Sequence, residues 1–295
     1  MNASFVIMGL PASGKTTFLA ALWHLVESGE TECRLVMDHY RGDFTYLNNI
    51  ADAWRNFKKV PRTSQIGDTD VTIYLHDRVT GARGTALFPD LAGEIFDLQV
   101  EERRCRPEFV VQADADDGIL FFVNADVKED GLSIVDLNAR LPQEVAATVL
   151  AGESPQALGG VNASAVAPEW EPKLLPAQVR IVQLLSDLLR PPFTYRTRKL
   201  ALLISAWDLV RDQGSTPEQW LARTMPLVSQ FLRTNGISFT HKVYGVSAQG
   251  IRLDDDAAVD GATKIAPSRR VQIVGHDGEG HDLTAPLVWL MSAAE

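Results

Sequence analysis

The chain has 295 residues and a mass of 32.4 kDa, enough for one or two domains with a buried core and no stapling disulfides. With 45% hydrophobic and 22% charged residues, 21 glycines and 15 prolines, its composition excludes a disordered or collagen-like chain. Lys and Arg number 28 against 38 Asp and Glu, and the resulting net charge of -10 argues against a nucleic-acid partner.

Cys33 and Cys105 stand far apart with no metal-ligand spacing, so free thiols and a reducing compartment are expected. The opening MNASFVIMGLPASGKTTF lacks a basic n-region and places Lys15 where a signal peptide needs apolar residues. There is also no run of about 18 apolar residues to form a membrane span. The expected location is the cytoplasm.

In chain order, residues 4–8 form a short apolar run ending at Gly9 and predict a buried strand. Phe18, Leu19, Leu22, Trp23 and Val26 then recur at helical spacing, with Gly29 placed as a C-terminal cap. A second helical stripe follows in Phe44, Leu47, Ala51 and Trp54, bounded by Pro61 and read as core packing. Val71, Ile73 and Leu75 alternate with polar residues, and Thr85 to Phe88 runs up to Pro89-Asp90, which predicts a hairpin. Gly118 to Asn124 is apolar enough for a central parallel strand.

The stretch from about 126 to 176 reads as an insertion with a short helix around Pro142 to Leu150. Regular structure resumes with a helix carrying Ile181, Leu184, Leu185, Leu188 and Leu189, stopped by Pro191-Pro192, and a buried strand at Leu200–Ile204. Thr216-Pro217-Glu218-Gln219 is a capping-box start for a helix reaching Gly236. Phe239 to Val246 predicts the last strand, 251–282 a polar excursion and second insertion, and Ala285 to Met291 a closing helix. The alternation predicts an α/β fold: a mostly parallel central sheet, helices on both faces, one antiparallel edge, and a single domain over 1–295.

Gly9-Leu10-Pro11-Ala12-Ser13-Gly14-Lys15-Thr16 matches the phosphate-binding pattern G-x-x-x-x-G-K-[ST], after a predicted strand and before a predicted helix. In this P-loop, backbone N–H groups from Gly9 through Thr17 surround phosphates, Lys15 places a charge at the β- and γ-phosphates from an open, solvent-facing cradle, and the Thr16 hydroxyl binds Mg²⁺. Asp90, at a strand's carboxyl end, is placed to reach the metal through water.

Asp90-x-x-Gly93 downstream of such a loop resembles the switch motif of the Ras-like and translation-factor class of P-loop GTPases, where the glycine N–H contacts the γ-phosphate. Ile204-Ser205-Ala206-Trp207-Asp208 is similar to the class's Asn/Thr-Lys-x-Asp, which implies that Asp208 reads guanine N1–H and N2–H₂. Ser205 and Ala206 depart from that pattern, and Trp207 is a candidate cover for the base in place of the lysine stem. Ser247-Ala248 is similar to the loop whose alanine N–H meets guanine O6.

The Ser205-to-Asp208, Ser247-to-Gly250 and closing Pro-Leu-x-Trp-Leu segments most resemble the bacterial double-GTPase families of conflict and defence operons. That resemblance implies a GTP-dependent switch acting with protein partners, an effector or a second GTPase. It also implies a first-switch threonine on Mg²⁺, with Thr63 the choice and Thr69 the competitor, in a stretch whose helical part, Arg41 to Lys59, is longer than usual.

Glu94 stands where many members carry a water-orienting Gln, which predicts slow GTP hydrolysis. Arg62 is the candidate internal arginine finger, with Arg103 and Arg104 behind it; the Glu101 to Arg104 cluster otherwise reads as an exposed helix face. His24 and His39 read as helix and loop histidines, His276 and His281 as solvated, and Asp254 to Asp256 as an acidic turn. The composite expectation is a Mg²⁺-dependent GTPase, with a non-hydrolysing nucleotide-binding scaffold and a P-loop ATPase as the alternatives.

Overall fold

The computed structural model describes residues 2–41, 44–60, 71–88, 94–115, 118–126, 175–276 and 278–292. The first half comprises β1 (Asn2–Gly9), α1 (Lys15–Ser28), β2 (Leu35–Arg41), α2 (Phe44–Arg55), β3 (Val71–Asp77), β4 (Arg83–Phe88), α3 (Glu94–Glu102), α4 (Pro107–Ala115) and β5 (Gly118–Asn124). Then come α5 (Ala177–Asp187), β6 (Arg198–Ser205), α6 (Pro217–Thr224), α7 (Pro226–Thr234) and β7 (Phe239–Ser247). The chain closes with α8 (Asp256–Ala262), α9 (Pro267–Arg270), β8 (Gln272–Gly275), β9 (Gly278–Gly280) and α10 (Ala285–Met291).

The strands of the described residues make one nine-stranded sheet in the order β2-β3-β4-β1-β5-β6-β7-β8-β9. From β4 to β7 neighbouring strands are parallel, and β2-β3-β4 and β7-β8-β9 are antiparallel. Alternate residues of the central strands therefore feed two cores. Phe5, Ile7, Leu120, Phe122, Ala201 and Leu203 pack with α1, α2 and α10. Val6, Met8, Ile119, Phe121, Leu200 and Leu202 pack with helices α3 to α7.

Helix α1 begins directly after Gly14 and ends at Gly29, whose left-handed φ of 65° suits a glycine cap. The Thr216 capping box forms as the sequence predicts, with the hydroxyl accepting from Gln219 N and the Gln219 side chain accepting from Thr216 N. The helix expected from there to Gly236 is two: Pro226 lacks the N–H that would continue the first, and Met225 closes α6 and opens α7.

Strand β2 is absent from the sequence-based expectation. Its Asp38 and His39 interrupt any apolar run, as suits an exposed edge, and His39 stacks on Tyr74 at 4.0 Å in the strand instead of lying in a loop. Arg41 accordingly ends a strand and is not the start of a helical stretch. The 251–282 excursion holds two helices and a second antiparallel margin, β8-β9, so both sheet margins are antiparallel where one was expected. The helix expected around Pro142 to Leu150 falls outside the described residues. Cys33 and Cys105 are free thiols, and among the described residues no helix is long and apolar enough to cross a membrane.

Candidate functional site

The carboxyl ends of β1, β5, β6 and β7 open onto a cleft of about 440 Å³. This is where an open α/β sheet presents its loops to a ligand. One end is built by the turn from β1 into α1, the other by the turns after β6 and β7.

At the first end, Ser13 N donates to Leu10 O at 3.3 Å and Phe18 N to Gly14 O at 2.9 Å, closing the turn into the first turn of helix. Gly14 has φ 93°, and a Cβ there would fall 2.7 Å from the Ser205 side chain, so only glycine fits between loop and strand β6. Lys15 is not in an open cradle, as the sequence reading had it. It is 3% exposed, and its ammonium donates to Gly9 O at 2.8 Å, Leu10 O at 2.9 Å and Ser13 Oγ at 3.3 Å. The loop's own carbonyls curl around the charge. Pro11 and Thr16 are half-buried, and Ala12, Gly14, Thr17 and Phe18 line the cleft.

Two neighbouring strands brace this loop from behind. Asn124, at the end of β5, donates from Nδ2 to Ala12 O at 2.9 Å. The Ser205 hydroxyl, at the end of β6, lies 2.7 Å from Ser13 O and 3.1 Å from Val123 O, a proton shared toward two carbonyls. Asn124 was not singled out from the sequence; its signal is a polar residue closing an otherwise apolar strand, Gly-Ile-Leu-Phe-Phe-Val-Asn.

At the second end, Asp208, Leu209, Ala248, Gln249 and Ile251 line the cleft. Ala206 takes a left-handed φ of 54° in the turn after Ser205, which directs Asp208 into the cleft and Trp207 away from it. Trp207 therefore is not a cover for a ligand. It is 2% exposed, packed over Gly245 and edge-on to Trp220 in the core beneath the site. Ser247 is buried at the end of β7, and its hydroxyl has no partner among the described residues. Ala248 follows at the cleft wall, its carbonyl accepting from the Trp54 indole at 2.8 Å.

The mouth carries charge. Arg252 pairs two-pronged with Asp254, at 3.0 and 2.9 Å, and Asp126 faces it. This pairing raises the Arg252 pKa and lowers that of Asp254.

Arg62, Thr63, Thr69, Asp90 and Gly93 lie outside the described residues, and Glu94 opens α3. Arg103 is not on a free face: it follows α3 with φ 56° and grips Asp187 at 2.9 and 3.1 Å. His276 is exposed, whereas His281 is held by its ring Nδ1 against Val271 O at 2.6 Å. Asp255 caps α8 through Ala258 N, so part of the acidic turn serves a helix end. Among the described residues no cluster of three or more His, Cys, Asp or Glu is placed to hold a metal ion.

The profile of the family described as Double-GTPase 1 matches residues 6–290 of this chain. Among solved structures the chain is similar to the Arl6 BBS3 small GTPase from Trypanosoma brucei with a bound nucleotide analogue, at 11% identity over 92% of this chain and 99% of that one, with a TM-score of 0.37. It is similar to the S. cerevisiae Ski7 GTPase-like domain bound to GDP and inorganic phosphate, at 12% identity over 84% and 43% of the two chains and a TM-score of 0.42. A bacterial selenocysteine-specific elongation factor, EF-Sec, is similar at 10% identity over 89% and 28%, with a TM-score of 0.32. The chain thus spans less than half the length of the Ski7 and elongation-factor chains. No curated protein matches it in sequence.

Proposed function

The chain belongs to the Double-GTPase 1 family and is by that membership a GTP-binding protein; from this premise we propose that it hydrolyses GTP to GDP and phosphate as a Mg²⁺-dependent conformational switch. The observation that carries the reading is one cleft with the Gly9–Thr17 phosphate loop at one end and Asp208 with Ala248 at the other. In this reading the loop amides and Lys15 hold the phosphates, Asp208 accepts from guanine N1–H and N2–H₂, and the Ala248 N–H meets O6.

Thr16 follows Lys15 in the first turn of α1, where its hydroxyl would hold the metal ion, and Thr63 and Asp90 would complete the proposed metal set. When bound, Mg²⁺ offsets charge developing on the transferred phosphoryl group. Gly93 senses the γ-phosphate, and Glu94 holds the attacking water as an acceptor. Arg62 offsets the repulsion between the Glu94 carboxylate and the phosphate. Such a pair supports slow intrinsic turnover. We further propose a single domain with two insertions, a cytoplasmic location, and a protein partner, either effector or second GTPase, within a bacterial conflict or defence system.

The test is binding of GTP, GDP and ATP in the presence of Mg²⁺ together with phosphate release. Preference for guanine nucleotides with release of phosphate is the expected result. Guanine binding without release assigns the chain to a scaffold, and equal competition by ATP overturns the guanine assignment. In single-turnover assays Arg62→Ala should slow phosphate release by roughly a hundredfold and leave GTP affinity nearly unchanged. An equal rate removes the internal finger.

A further inference from the structure

Trp54 sits in the last turn of α2, 194 residues before the loop it serves. It is fully buried, and its indole N–H donates to Ala248 O at 2.8 Å. The return contact runs from Gln249 Nε2 to Trp54 O at 3.4 Å. The next residue, Gly250, has φ 76°, and a Cβ there would fall 2.3 Å from Arg270 O, so the loop is pressed against the end of α9. Arg270, 8% exposed, closes the circuit: its guanidinium lies 5.2 Å from the Trp54 ring centroid and 4.2 Å from that of Phe57, and donates to Arg55 O at 3.3 Å. Burial lowers its pKa, and Glu30 acts in the opposite sense.

This arrangement holds Ala248 from both sides. Before it, Ser247 is fixed in the β7-β8 ladder opposite Gln272. After it, the carbonyl is fixed by Trp54, which sets the peptide plane that follows and limits the swing of the N–H that precedes. An ordinary loop would leave that N–H free to turn toward water, at a cost to any ligand that has to order it. We infer that Trp54 is a positioning residue for base recognition: it fixes the Ala248 backbone so that the amide faces a guanine O6 in the cleft. The inference rests on the guanine reading above and adds to it a residue from a remote helix. Because coupling is reciprocal, a filled base site in turn stabilises the last turn of α2.

The decisive comparison is GDP against 6-thioguanosine 5′-diphosphate, which keeps the phosphates, the N1–H and the N2 amine and replaces O6 by sulfur, a much weaker acceptor. The full chain should prefer GDP, and Trp54→Phe, which keeps an aromatic ring and removes the N–H, should shrink that preference by roughly tenfold. Loss of packing alone would lower both affinities together and leave their ratio intact, and that result overturns the inference. Should Trp54→Phe fail to fold, amide hydrogen exchange on the unaltered protein decides: GDP should protect residues 50–57 more than α4, on the opposite face of the sheet. Equal protection of the two overturns it. Failure of the guanine reading is separate and visible first, as an unaltered protein that does not distinguish GDP from ADP.

Discussion

The two ends of the cleft are built on different plans. The proposed phosphate end comes from nine consecutive residues, Gly9 to Thr17, whose ligand groups in this reading are mainly backbone amides at a helix start; other strands add braces, from Asn124 and Ser205. The proposed base end is gathered from Ala206–Leu209, whose Trp207 packs into the core beneath, and from Ala248–Ile251, and it is backed by Trp54 and Arg270 from elsewhere in the chain. Where recognition is supplied by contiguous backbone, a short motif carries it and few replacements are tolerated. Where it is supplied by groups converging from separate elements, it depends on the supports that hold those elements together.

The largest break of this contrast is Lys15→Ala. Removing a buried ammonium from the phosphate end should weaken GTP and GDP by at least about a hundredfold, with pyrophosphate losing a comparable factor. Because Lys15 is also bonded to Gly9 O and Leu10 O, the variant should lose about 1–2 kcal/mol of stability as well, readable by denaturant titration. Calorimetry showing unaltered GDP affinity would remove the phosphate-loop assignment.

Asp208→Asn comes next. It acts at the base end alone, so GTP should weaken by about 10- to 100-fold and xanthosine triphosphate improve, since the amide offers a donor where xanthine has an acceptor. Pyrophosphate affinity should be unchanged. A parallel loss of pyrophosphate would show that the two ends are not separable.

The same contrast explains what was legible in the sequence. The β1 run, the glycine-bearing loop, the α1 stripe and its Gly29 cap are local patterns, and each matches its element. The central strands β5 and β6 are legible because burial on both faces leaves continuous apolar runs, whereas β7 carries Thr240, His241 and Lys242 near its start and is apolar only toward its carboxyl end. Strand β2 is not legible, since an edge strand with four exposed residues at its end carries no apolar signature. The place of Trp207 is not legible, because a tryptophan beside an aspartate proposed to read a base looks the same in sequence whether it faces ligand or core. Its burial follows from the left-handed turn at Ala206, which no periodicity announces. Trp54 was legible as a buried helix residue but not as a brace, because its acceptor is a carbonyl 194 residues away.

Ser205→Ala should have the smallest effect and places the boundary between the two ends. By its position in Ser205-Ala-Trp-Asp208 the residue belongs to the base motif. By contact it belongs to the phosphate loop, since its hydroxyl reaches Ser13 O and Val123 O, and Gly14 is pressed against its side chain. Removing the hydroxyl leaves the buried Ser13 carbonyl without that donor, a cost of about 1 kcal/mol, so the loop amides are held less firmly for phosphate. GDP, ADP and pyrophosphate should therefore all weaken by a similar factor of about three to ten, and the preference of GDP over ADP should not move. If the variant instead lowers the GDP-to-ADP ratio and leaves pyrophosphate alone, Ser205 acts on the base, and the two ends meet within a single side chain.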